Sequence, residues 1–173
     1  MSDTTDRKQI IKTLTEMIAD ADVVMLTTVL ADGTLRSRPM VRAKTEFDGD
    51  LWFFTDQESG KVDDITGDSH VNVAYANPDQ RRYISISGAA VIVDDPKKKE
   101  LFWDDEFQHW LPQGPDDPHV SLLKVTVDVA EYWDAPSSVM RKIGGLVRGV
   151  FSGQRQPTDE NETIDLSVSE PQS

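Results

Sequence analysis

The sequence predicts a mainly β domain with flanking helices (α+β), organised as a closed or split antiparallel barrel of six strands. Three observations carry this. Apolar, β-branched or aromatic runs recur six times along the chain. Most are separated by only a few turn-forming residues, which suits antiparallel pairing and leaves no room for the helical crossovers of a parallel sheet. The chain of 173 residues contains no cysteine, so it must hold itself together by a core and not by disulfides.

Ile10, Ile11, Leu14, Met17 and Ile18 recur at helical spacing, so residues 5–20 are expected to form an amphipathic helix. Residues 22–30 form the first strand. Asp32-Gly33 then makes a hairpin turn, because glycine accepts the positive φ such turns require. Residues 34–47 read as a second long strand, and Asp48-Gly49 as a second hairpin leading into Leu51-Trp52-Phe53-Phe54-Thr55, which together predict a three-stranded meander. Residues 59–67 suggest a short helix with Val62 and Ile65 on its apolar side. Residues 71–75 and 83–93 are strands around the Asn77-Pro78-Asp79 turn. Residues 97–110 are helical in character, 112–118 form a Pro-rich loop, and 122–133 make the last strand.

The expected organisation is a barrel domain over residues 1–135, a weak amphipathic helix or extension over 136–153, and an acidic tail over 154–173. The tail holds five acids against one base and no aromatic residue, so disorder is expected there. The formal net charge of −13 argues against nucleic acid and anionic lipid as partners. Residues 1–20 are polar and amphipathic, unlike a secretory leader, and no apolar run reaches spanning length, so the expected address is the cytoplasm.

Four features could carry chemistry. On a strand, Arg36, Arg38 and Arg42 share one face with Met40, and three cations side by side suit either a bound anion or a solvated edge with carboxylate partners. Thr55-Asp56-Gln57-Glu58-Ser59-Gly60-Lys61 runs from a strand into a helix start, where free N–H groups, a hydroxyl and a cation could receive a phosphate. It is not a P-loop, which would need glycine in place of Thr55 and Ser or Thr in place of Val62. By itself Ser59 is better read as a helix cap, and the phosphate reading gains ground only together with the arginine strand. Gly88, within Ser85-Ile86-Ser87-Gly88, marks a close approach by a ligand, another backbone or a barrel corner. Trp52, Trp103, Trp110 and Trp133 could form core or a flat wall for a ring, with Trp52 read as core and Trp133 open.

Taken together, Gly33 with Ser37-Arg38-Pro39-Met40, Leu51 to Thr55, Ser59-Gly60-Lys61-Val62, Tyr83 to Gly88, and Glu131-Tyr132-Trp133-Asp134 resemble the general stress protein branch of the pyridoxamine-phosphate-oxidase-like flavoproteins. The resemblance spans residues 10–134. It implies a split-barrel homodimer with FMN at the subunit interface. It further implies that Arg38 holds the phosphate with Ser59 and Lys61, that backbone at Pro39, Met40 and Val41 faces the isoalloxazine edge, and that Phe54 and Thr55 line the ring and ribityl chain. The resemblance stops short of the full oxidase. That enzyme carries Arg-Gln where this chain has Arg82-Tyr83, and an Arg-x-His motif after its late tryptophan that does not follow Trp133. The implied function is therefore an FMN oxidoreductase of unspecified substrate, with flavin storage or sensing as the alternative. A deazaflavin or haem variant would bring His70, His109 or His119 into play. No Gly-rich dinucleotide fingerprint is present, so a nicotinamide donor would bind only transiently.

Overall fold

The computed structural model describes residues 2–133 and 162–165. Helix α1 (Ser2–Ile18) leads into β1 (Val23–Val29), β2 (Leu35–Val41) and β3 (Asp50–Asp56). Helix α2 (Gly60–Gly67) is followed by β4 (His70–Asn77), β5 (Arg82–Val93), α3 (Pro96–Phe102), a short 3-10 helix (Asp105–His109) and β6 (Val120–Trp133). Every pairing is antiparallel, and the strand order is β2-β1-β4-β5-β6-β3. The six-stranded antiparallel split barrel expected from the sequence is present.

The β1–β2 hairpin forms where Asp32-Gly33 predicts it. Gly33 takes φ +81°, and the Asp32 carboxylate accepts from both the backbone N–H and the hydroxyl of Thr34. The expected meander does not form. The second strand ends at Val41 and not at Phe47, because the chain turns inward there to bury Ala43 and Phe47. Strand β3 then pairs along its length with β6, from Asp50↔Thr126 to Asp56↔Val120. Local turn chemistry cannot see that partner, which lies about seventy residues away in sequence. Strands β2 and β3 are therefore the two edges of the curled sheet, and among the described residues they are bridged at Arg42↔Phe53.

Alternation along β1 sorts the two sheet faces. Val24, Leu26 and Thr28 are buried, whereas Val23 and Met25 are 53% and 41% exposed. The inner residues join Met40, Phe53, Val71, Val73, Ile84, Ile86, Leu123 and Val125 in the main core, onto which α1 lays Leu14, Met17 and Ile18. A second cluster forms around the β3–β6 pair, where Trp52 and Phe54 pack against Phe102, Trp103 and Phe107. This confirms Trp52 as core. Residues 97–110 do not form one helix: Asp95 caps α3, and Asp104 caps the 3-10 helix after it.

Gly88 sits at a register shift between β5 and β6. A Cβ there would lie 2.1 Å from the Thr126 carbonyl oxygen, so the glycine serves backbone approach across the sheet and not a ligand. The acidic tail departs from expectation at Glu162–Asp165. This segment forms β7 and pairs with β6 over Val129–Tyr132, continuing the edge of β6 past the end of β3. Composition argued against an apolar core in the tail, but adding a strand to an existing edge needs only backbone hydrogen bonds. The extension expected over 136–153 and the rest of the tail lie outside the described residues.

Candidate cofactor site

The site grows from the place where the two sheet edges separate. Beyond the Arg42↔Phe53 bridge, an antiparallel continuation would set Val41 against Phe54 and Met40 against Thr55. Among the described residues that ladder does not continue. The backbone of Pro39, Met40 and Val41 thus borders one side of a slot, and that of Phe54 and Thr55 the other. These are five of the residues singled out from the sequence. Edge-strand N–H and C=O groups that face such a gap can offer hydrogen bonds to a planar heterocycle.

At the slot's far end, Arg38 reaches inward from β2. Its Nη2 donates to Thr28 Oγ1 at 3.1 Å and to Asp64 Oδ2 at 3.0 Å, while the Thr28 hydroxyl donates to the same Asp64 oxygen at 2.9 Å. The other terminal nitrogen, Nη1, is buried with no hydrogen-bond partner. Buried donors rarely remain unpaired without a reason. Lys61, on α2, donates from Nζ to Ser59 Oγ at 2.9 Å. Ser59 precedes α2 but makes no side-chain cap. Its hydroxyl donates to the Asp56 carbonyl and lies 3.4 Å from Thr55 Oγ1. The cap reading of Ser59 is therefore replaced by a chain of hydroxyls leading to the Lys61 ammonium.

Electrostatics mark the same spot. Burial, and then the neighbouring Arg38 charge, lower the Lys61 proton affinity below its ordinary value. The Arg38 hydrogen bond leads the causes that hold the Asp64 carboxyl below its ordinary value. Two cations drawn together in a partly desolvated corner, one with an orphan donor, fit a bound phosphate.

The other two arginines serve elsewhere. Arg36 is exposed. Arg42 is buried, and its Nε and Nη2 donate to the carbonyls of Ala21 and Ile18, tying down the end of α1. Arg42 keeps the inward face of Arg38 and Met40, opposite Phe53, but its side chain serves the end of α1. The Phe54 ring is also diverted. It packs edge-on against Trp103 and beside Phe107, so Phe54 offers the slot its backbone and not its ring. His70, His109 and His119 are exposed at separate places, with His70 beside Asp68 and His119 beside Glu58. Trp133 is half-buried at the end of β6, paired with Tyr83. Asp64 and Thr28 were not singled out from the sequence. Asp64 stands three residues after Lys61, one helical turn along the same face of α2, and that spacing was the available signal.

A family model described as pyridoxamine 5'-phosphate oxidase like matches residues 9–157. The chain belongs to this family. Bli-3 of Neurospora crassa is 33% identical over 150 residues, covering 82% of this chain and 71% of that protein. General stress protein 26 from Bacillus anthracis superposes with a TM-score of 0.63 at 29% identity, over 71% of this chain and 92% of its own. The general stress FMN/FAD binding protein of Xanthomonas citri shares the fold, with a TM-score of 0.63 at 23% identity over 87% and 98% of the two chains. A Clostridium acetobutylicum protein related to general stress protein 26 reaches a TM-score of 0.68 at 18% identity over 91% and 95%. Among the described residues, no helix is long and apolar enough to cross a membrane.

Proposed function

We propose that this family member binds FMN in the slot between β2 and β3 and acts as a cytoplasmic flavin oxidoreductase, as a homodimer. The observation that carries the reading is the buried, unpartnered Nη1 of Arg38 in a corner shared with Lys61. Arg38, Lys61 and Ser59 would hold the phosphate. Thr55 would meet the ribityl chain, and the Pro39–Val41 and Phe54 backbone would border the isoalloxazine ring. FMN, when bound, supplies hydride chemistry, while the chain supplies binding and orientation. The dimer reading rests on the outer sheet face, where Val23, Met25, Pro39 and Tyr83 are exposed beside the slot. A second subunit on that face would cover both the apolar surface and the open side of the flavin.

The test is equilibrium dialysis of purified protein against FMN, followed by sedimentation and by anaerobic addition of a nicotinamide reductant. The expected result is near-stoichiometric flavin, a dimer, and bleaching of the flavin spectrum. Absence of FMN binding at micromolar protein overturns the cofactor assignment. Tight FMN that no reductant bleaches would leave a storage protein in place of the oxidoreductase.

A further inference from the structure

We propose that Asp64 is a positioning residue of the phosphate subsite, which braces the Arg38 guanidinium by one nitrogen so that the other is presented to the ligand. The inference rests on the FMN reading above.

The brace is a closed ring of three side chains from three elements. Asp64 Oδ2, on α2, accepts from Arg38 Nη2 of β2 and from the Thr28 hydroxyl of β1, and that hydroxyl in turn accepts from the same Nη2. The proton count closes. Thr28 spends its one proton on Asp64 and a lone pair on Arg38, and Asp64 accepts from both. Thr28 is fully buried, while Arg38 and Asp64 are 18% and 13% exposed, so the ring sits in a packed corner and not on a solvated surface.

A guanidinium is planar. Two acceptors on Nη2 restrict rotation of the whole group and with it the direction of Nη1. That nitrogen is the buried donor without a partner. Asp64 would repel a phosphate it touched directly, so its contribution passes through Arg38. Its carboxylate also lies one helical turn from Lys61 on α2, so a single short helix carries both the second cation and the brace for the first.

Positioning and simple charge balance predict different mutants. Asp64→Asn keeps an oxygen that can accept from Arg38 and Thr28 but removes the charge, whereas Asp64→Ala removes both. FMN dissociation constants are to be measured by flavin fluorescence for the wild type, both variants, Arg38→Ala, and the Arg38→Ala/Asp64→Ala double variant. Circular dichroism melts run alongside. Losing the orientation of one charge-assisted bond should weaken FMN about tenfold in Asp64→Ala, while Asp64→Asn stays within about threefold of wild type. In the Arg38→Ala background, Asp64→Ala should add less than about twofold, because the residue it positions is gone. Additive losses, equal losses in Asn and Ala, or unchanged affinity in Asp64→Ala would each overturn the inference while leaving FMN binding by the wild type intact. A wild type that binds no FMN removes the underlying reading and the inference with it. Should Asp64→Ala fail to fold, Thr28→Val breaks the same ring from the other side. It should weaken FMN about threefold, again only when Arg38 is present, and unchanged affinity there overturns the inference.

Discussion

Replacing Arg36, Arg38 and Arg42 one at a time separates cofactor binding from scaffold stability. Arg38→Ala removes the orphan Nη1 donor and the cation beside Lys61. Loss of a charge-assisted hydrogen bond in a partly buried site costs roughly 1.5–3 kcal/mol, which is about a tenfold to hundredfold loss of FMN affinity. Arg42→Ala touches no part of the slot's phosphate end. It strips the Ala21 and Ile18 carbonyls of their charged donors at the end of α1, a helix with no basic residue in its own last turn. That change should cost roughly 1–3 kcal/mol of stability, lowering the melting midpoint by several degrees for a chain of this size, and leave the affinity of the folded protein unchanged. Arg36 is exposed and contributes only long-range attraction, which salt screens. The assay is FMN titration of the three variants at low and high salt, with thermal melts in parallel. If Arg42→Ala loses affinity as Arg38→Ala does at a temperature where it is folded, or if high salt erases the Arg38 effect, the phosphate assignment is wrong.

Three further outcomes follow from the geometry. Gly88→Ala places a methyl 2.1 Å from the Thr126 oxygen, so the two backbones must part, and urea denaturation should show a loss of about 3 kcal/mol or more. Ending the chain at residue 153 removes β7, and amide exchange at Val129–Tyr132 should speed up; unchanged exchange would mean that β7 does not protect that edge. Because the Arg38 hydrogen bond depresses the Asp64 carboxyl below its ordinary 3.8, the stability this pair contributes is fully present above that value and is lost as pH falls through the depressed one. The stability advantage of wild type over Asp64→Asn should then be flat from neutral pH to about 5 and shrink on further acidification, and a constant difference down to acid unfolding would refute it.

Much of the site was legible in the sequence because its signals are short-range. Arg38 ahead of Pro39, the Ser59-Gly60-Lys61 run at a strand-to-helix turn, and the Asp32-Gly33 hairpin are each written within a few residues. What escaped depends on contacts far along the chain. Alternation placed Arg42 on the face of Arg38 and Met40, where it is, but could not show that its side chain answers to the end of α1. The resemblance places Phe54 along the flavin, but only the fold shows that its side chain packs on Trp103 and Phe107, about fifty residues later. Asp64 carries no signal of its own in the sequence beyond its spacing from Lys61. Only the pairing of β1 with β2 brings Arg38 and Thr28 within its reach. Tail composition argues only about burial, and it could not reveal the edge of β6 with which Glu162–Asp165 pairs.

The slot itself follows from why β2 and β3 fail to zip together. A continued ladder would need donors and acceptors in register on both edges from Val41 toward Arg38. Pro39 has no N–H to give, and its ring holds the strand in one extended conformation that the preceding Arg38 must share. Among the described residues Arg42 stands at the one rung between these edges, and its side chain bonds carbonyls at the end of α1. On the other side, Thr55 and Ser59 turn their hydroxyls on each other and on the Asp56 carbonyl, so the chain leaves β3 for α2 and does not follow β2. Under the FMN reading proposed above, the isoalloxazine edge would meet these two sheet edges and the phosphate would lie toward Arg38 and Lys61. Arg42 and Arg38 thus do different work: one holds the end of α1, and the other carries the buried Nη1 donor in the corner it shares with Lys61.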